Sequence, residues 1–204
     1  MTATAQPVTR ERFEQGMTYE EYKAQMTRSR DRLEANEQNL QLSQEDLAPF
    51  TGLSQPLNVL VLAEDWCGDV IANLPILGRL AQESGKLNLR VFLRDQNLDI
   101  MDQYLNQGVH RSIPVFVFFD QDFNEIGRFT ERPDSVTELR ATKRQEIYQQ
   151  HPELGSPDAP ATELPEEIRA NLTQALNAMR EEMTDFANRE VIRELRAIVE
   201  RAAA

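Results

Sequence analysis

The chain carries one cysteine, Cys67, in the run Ala63-Glu64-Asp65-Trp66-Cys67-Gly68-Asp69-Val70. A thiol does chemistry as its thiolate. An apolar, strand-like segment from Leu57 to Leu62 leads into the run, and a helix-like segment follows. Cys67 is therefore expected at a strand-to-helix turn, where the first free N–H groups of the helix point at its sulfur and favour the thiolate. Glu64, Asp65 and Asp69 oppose this, because negative neighbours raise a thiol pKa. With no second cysteine, the chain cannot close a disulfide within itself. Redox chemistry at Cys67 thus needs the sulfur of another molecule, or oxidation to a sulfenic acid that an external thiol then caps. Two histidines and one cysteine, set well apart, give no metal-ligand spacing, so no metal and no cofactor is expected.

The elements that would position this thiol follow from patterning. The 204 residues suit one domain with extensions. Residues 1–17 read as a loose N-terminal tail. Residues 18–54 read as a helical extension, in which Thr18-Tyr19-Glu20-Glu21 is a capping box and Tyr19, Met26, Leu33 and Leu40 recur every seven residues along one helix. Ser43-Gln44-Glu45-Asp46 caps a second, short helix limited by Pro49 and Gly52. Strands are expected at Leu57–Ala63, Leu87–Leu93, Ile113–Phe119 and Glu125–Thr130, with helices at about Cys67–Ser84 (Pro75 inside, Gly85 at its end), Leu98–Asn106 and Pro133–Gln150. The βαβ start makes the first two strands parallel, and the short turn after Phe119 makes the last two a hairpin. The fold class is α/β: a mixed sheet flanked by helices. Residues 151–165, with four prolines and a glycine, read as a linker. Residues 166–204 carry Ile168, Leu172, Leu176, Met179, Met183, Phe186, Leu195 and Ile198 as the stripe of one long amphipathic helix or two.

This element order, with its Trp-Cys-Gly turn and a strand entered through proline, resembles the thioredoxin family over residues 55 to 131, within a thioredoxin-like domain taken as 55–150. Trp66-Cys67-Gly68 is similar to the start of the family's Trp-Cys-Gly-Pro-Cys site. Pro75 stands eight residues after the cysteine, as the family's helix-kinking proline does. Asp95-Gln96-Asn97 matches a family segment, and Ile113-Pro114 resembles the family's cis Ile-Pro step, which packs beside the active cysteine. The Glu-Asp-Trp-Cys-Gly-Asp motif further resembles a bacterial thioredoxin-like subgroup with extra terminal helices. The resemblance implies a site of Cys67 lined by Trp66, Gly68, Asp69, Val70, Ile113 and Pro114. It also brings His110 and Arg111 near the sulfur, as cations for a thiolate or an anionic partner.

Three departures bear on mechanism. Val70 stands where the family has its resolving cysteine, and valine cannot attack sulfur, so conventional dithiol–disulfide exchange is excluded. The family's buried acid and its lysine are replaced by apolar Leu60 or Val61 and by Val91; losing both avoids a lone buried charge. Asp69 replaces the proline of the motif.

Two functions follow. One is a monothiol redox role, with a protein or low-molecular-weight thiol or disulfide as partner. The other is a non-catalytic binding module that uses the proline groove or the terminal helices, which also offer a surface for a homodimer. A glutathione-transferase-like enzyme fits poorly, because the C-terminal helical segment is short and a helix precedes the domain. With 34 acids against 22 bases, nonspecific binding to nucleic acid or anionic membranes is not expected. No apolar run nears the roughly 20 residues of a membrane span, the N-terminus has no apolar leader core, and a cytoplasmic location is the default expectation.

Overall fold

A computed structural model describes residues 8–157 and 160–202. The described chain divides into two compact units. One runs up to Arg132 and resumes at Val191, and the other is Pro133–Glu190.

The first unit is built on a four-stranded sheet of β1 (Leu57–Ala63), β2 (Leu87–Leu93), β3 (Val115–Phe119) and β4 (Glu125–Thr130), in the order β2-β1-β3-β4. β1 and β2 are parallel, and the β1–β3 and β3–β4 pairs are antiparallel. Every residue of β1 and β3 is buried, as strands covered on both faces require. Val61, one of the two residues read as standing at the family's buried acid, lies opposite Val91 across the sheet, apolar against apolar. The strand expected from Ile113 begins at Val115.

Helix α5 (Gly68–Ser84) follows β1 directly, contains Pro75 and ends at Gly85 in the left-handed conformation (φ 65°). The segment expected as a loose tail is built into this unit from Val8 onward. α1 (Arg10–Glu14) sinks Phe13 into the core, and Met17 exchanges both backbone hydrogen bonds with Val91 on the outer edge of β2 (2.9 and 2.7 Å). Residues 1–7 of that expected tail lie outside the described residues.

The single helix expected after Thr18 is two, α2 (Tyr19–Gln25) and α3 (Arg30–Asn39), both before α4 (Gln44–Thr51). The break has a physical cause. The N–H groups of Thr27 and Arg28 turn away to Asp65 Oδ2 (2.8 and 2.9 Å), and Ser29 adopts a left-handed conformation (φ 55°). The apolar seam is spent on the unit's own core: Met26, Leu33 and Leu40 are buried there, and Tyr19 is partly buried against it. Both expected capping boxes are formed, at Thr18 and Ser43. Tyr19 lies so close to α5 that a Cβ on Gly78 would run into its ring, a clash that glycine avoids. Between β2 and β3 the helix is shorter than expected: α6 covers only Leu98–Met101.

The second unit holds α7 (Asp134–Gln150), α8 (Glu166–Glu182) and the start of α9 (Thr184–Ala202). The C-terminal stripe is thus two helices. The proline-rich 151–165 stretch is not a free tether where it is described: Leu154 is buried against Tyr148 and Leu172 within this unit. The last part of α9 returns to the first unit, where Ile198 packs over Gly127 of β4.

Candidate functional site

Cys67 is the N-cap residue of α5, with extended backbone (φ −84°, ψ 120°), and its own N–H closes the preceding turn onto Glu64 O (3.2 Å). The amides of Asp69 and Val70, in the first turn of the helix, favour its thiolate, and the sulfur makes no capping hydrogen bond to the helix. On its other side the thiol is positioned to donate to the Ile113 carbonyl oxygen (Sγ to O 3.5 Å), immediately before the cis Ile113–Pro114 bond. A thiol can make that last bond and a thiolate cannot, so it favours the protonated form. Burial pushes the Cys67 thiol up, the Val70 and Asp69 amides pull it down, and the carboxylates of Asp69 and Glu131 push it up again. The balance lies above the ordinary thiol value. The resting group is therefore a half-buried thiol at the start of a helix.

The charges that act on it form one network. Arg132 Nη2 bonds Asp69 Oδ2 (2.5 Å) and Glu131 Oε1 (2.5 Å). Glu131, in a left-handed conformation (φ 61°), accepts from Asn106 Nδ2 through its side chain (3.2 Å) and from Asn73 Nδ2 through its backbone carbonyl (2.8 Å). Burial pulls the Arg132 guanidinium down, but Asp69, Glu131 and Cys67 outweigh it and hold its proton more firmly than usual.

The sequence-expected residues divide. Gly68 opens α5, and Val70 is fully buried. Ile113 is buried, with its carbonyl on the thiol. Trp66 is 47% exposed, with the Arg94 guanidinium 5.0 Å from its ring centroid. Arg111 turns to Asp102 instead, with Nε–Oδ1 at 2.7 Å and Nη2–Oδ2 at 3.0 Å, and His110 is exposed. Two of the acids read as neighbours of the sulfur are engaged elsewhere. Glu64 is buried and accepts the Asp95 amide (2.8 Å), and Asp65 holds the Thr27–Arg28 turn.

Glu131, Arg132, Asn73 and Asn106 escaped sequence reading. For Glu131 and Arg132 a signal was present. In an antiparallel hairpin that pairs Val115 with Thr130, the next residue must reach Pro114, and Glu131 N indeed donates to Pro114 O (2.7 Å). The two asparagines carry no comparable signal.

The chain belongs to the thioredoxin family: the family model described as Thioredoxin matches residues 16–145. Among solved structures, the chain is similar to a protein of unknown function from Pseudomonas aeruginosa, with TM-score 0.64 and 21% identity over 94% of this chain and 96% of that one. It is also similar to an HIV epitope scaffold, with TM-score 0.61 and 18% identity over 92% of this chain and 94% of that one. At these identities the likeness is one of fold. No curated protein matches the chain. No helix among the described residues is long and apolar enough to cross a membrane.

Proposed function

We propose that this thioredoxin-family chain is a single-thiol redox protein, in which Cys67 forms a mixed disulfide with a protein cysteine or a low-molecular-weight thiol. The observation that carries this reading is Cys67 itself: a half-buried sulfur at the N-cap of α5, beside the Ile113 carbonyl, in a chain with no other cysteine. In the exchange step the Cys67 thiolate attacks one sulfur of a disulfide. A Cys67–sulfur bond forms, the partner's S–S bond breaks, and the second sulfur leaves as a thiolate that takes up the proton Cys67 released. An external thiolate must reverse the step, since Val70 offers no resolving sulfur. A thiol raised by burial is sparsely ionised at neutral pH. Its thiolate is correspondingly nucleophilic and a poor leaving group, so the mixed disulfide is long-lived. That suits capture better than rapid turnover. A reducing compartment such as the cytoplasm keeps such a thiol available.

The test is the pH dependence of Cys67 alkylation on native protein, read by intact mass, followed by incubation with glutathione disulfide. The expected result is one alkyl adduct, with a midpoint above the roughly 8.5 of a free thiol, and one glutathione adduct that Cys67→Ser abolishes. A native thiol that takes neither reagent at alkaline pH, while the unfolded chain takes both, would sink the reading.

The rival reading, a binding module without redox chemistry, is favoured by one observation: the S–H is already committed to Ile113 O beside the exposed Trp66. Partner capture that survives Cys67→Ser would select it.

A further inference from the structure

Among the described residues, Asn73 is one of three buried polar or charged residues, with Asn58 and Glu64. It stands in α5 between the buried apolar residues Ile71 and Leu74. A buried side-chain amide costs stability unless it is paired, and an apolar side chain of similar size would avoid that cost. Here Asn73 Nδ2 donates to the Glu131 carbonyl oxygen (2.8 Å). Glu131 N donates in turn to Pro114 O (2.7 Å). The carbonyl next to it, that of Ile113, is the one that faces the Cys67 S–H (3.5 Å). Helix α5 thus grips the Ile113–Pro114 step at two points: directly from Cys67, and later in the helix from Asn73 through the Glu131 backbone. Glu131 makes this link in a left-handed conformation (φ 61°), which persists in a residue with a side chain only where its surroundings over-determine it. Its carboxylate is held by Arg132 Nη2 and by Asn106 Nδ2 (3.2 Å), and Asn106 Nδ2 also reaches Ser112 Oγ (3.4 Å) at the entry to the step. Asn36 offers a contrast. Its Nδ2 donates to Ile71 O (2.9 Å), the carbonyl that Pro75, having no N–H, leaves open in the same helix. That bond ties α5 to α3 instead.

We propose that Asn73 is a positioning residue for Cys67: through the Glu131 backbone it holds the Ile113 carbonyl against the sulfur, and so sets how readily the thiol ionises. This rests on the reading of Cys67 as an exchanging thiol and names the device that regulates it. A hydrogen bond from the S–H favours the neutral form, and such a bond weakens steeply with distance and misalignment. Its strength therefore depends on how firmly the acceptor is held, which is the work of supporting bonds one step removed from the sulfur. Without the Asn73 amide, Glu131 loses one of the bonds that over-determine its left-handed conformation. The Glu131 N–H is then no longer fixed under Pro114 O, and the step is free to move off α5. The sulfur loses its acceptor and part of its burial, and both losses favour the thiolate. The charged and titratable groups acting on or with Cys67 are Asp69 in α5, Tyr22 in α2, and Glu131 and Arg132 past the end of β4. A substitution at Asn73 leaves all four in the chain, so its effect is one of position and not of charge removed.

The test follows iodoacetamide alkylation of Cys67 across pH on full-length protein, read by intact mass, with a urea midpoint for each variant. The native chain is compared with Asn73→Leu, Asn73→Ala and Asn36→Ala. Leucine removes the amide with little change of size, and alanine guards against a poor fit of leucine. Both Asn73 variants are expected to lower the alkylation midpoint by about half a pH unit, the worth of a weak hydrogen bond to the neutral thiol. Asn36→Ala should lose stability to urea and keep the native alkylation midpoint. An unchanged or raised midpoint in both Asn73 variants, an equal shift in Asn36→Ala, or Asn73 variants that do not fold would make Asn73 a residue of stability alone and overturn the proposal. The single-thiol reading would still stand on the native chain's alkyl and glutathione adducts. A native thiol that takes neither iodoacetamide nor glutathione disulfide would bring down both.

Discussion

Two segments flank Pro114, and only one supplies the cation of the site. The loop before it carries His110 and Arg111, but Arg111 is spent on Asp102, and both of those side chains are about half exposed. Arg132, just past the end of β4, is much further along the chain, yet it sits on Asp69 with side chains only 23% and 14% exposed. Chain distance from Pro114 favours the loop. Hairpin register favours β4, because pairing Val115 with Thr130 carries residues 131 and 132 past the proline toward the start of α5. In a sheet protein, the neighbours of a residue are those its register assigns, and a charge close in sequence is free to find another partner.

The largest expected effect tests the β4 side of this contrast. Arg132→Met leaves the Asp69 and Glu131 carboxylates facing the thiol without a counter-charge. The Cys67 alkylation midpoint should move to higher pH. Urea unfolding should show a loss of about 2 kcal/mol, below the value for a fully buried pair because the side chains are partly exposed. Asp69→Asn should move the midpoint the other way, since it removes one of the carboxylates that raise the thiol and keeps the amide that lowers it. Alkylation profiles that shift in the same direction in both variants would mean that the network does not act on Cys67 through charge.

What the sequence revealed follows the same division. The strands, α5 with Pro75 and the Thr18 and Ser43 caps depend on local pattern, and local pattern was visible. So was the placement of Cys67 at the helix start. The break between α2 and α3 was not, because it depends on Asp65 accepting two amides that a local pattern would assign to the helix. Nor was the burial of Phe13 in the supposed tail, which depends on the sheet edge that Met17 joins. Arg132 was readable only by counting the hairpin register forward.

Glu64 and Asp65 repeat the contrast between adjacent residues. Burial raises the Glu64 carboxyl, and the charges of Asp95 and Asp65 add to this against the Asp95 amide and Arg94. Burial also pushes Asp65 up, but the donors of Thr27 and Arg28 prevail and leave it below the ordinary value. The signs are therefore opposite. Stability linked to Glu64 is present below the unfolded value of about 4.3 and is lost as pH rises through its folded value. Stability linked to Asp65 is present above about 3.9 and is lost as pH falls through its folded value. Relative to the native chain, Glu64→Gln should gain stability as pH rises from acid toward neutral, and Asp65→Asn should lose it. Urea midpoints across that range read both, and parallel slopes would refute the assignment.

The smallest effect is expected in the loop, and it carries the comparison's sharpest risk. Arg111→Ala removes one exposed ion pair, worth about 0–1 kcal/mol, and leaves the Asp69–Arg132–Glu131 network untouched. His110→Ala removes an exposed ring. Neither should move the Cys67 alkylation profile, because Arg111 is paired with Asp102 and His110 is exposed. The decisive quantity is the ratio of profile shifts. If Arg111→Ala displaces the midpoint as far as Arg132→Met, the loop swings onto the thiol in solution, and closeness along the chain was the better guide after all. If the loop variants are silent while Arg132→Met is not, the reactivity of Cys67 is governed by the end of β4. In that case, a search for the site's charge partners in related single-cysteine chains should begin one residue past the strand that pairs with the proline-entered strand.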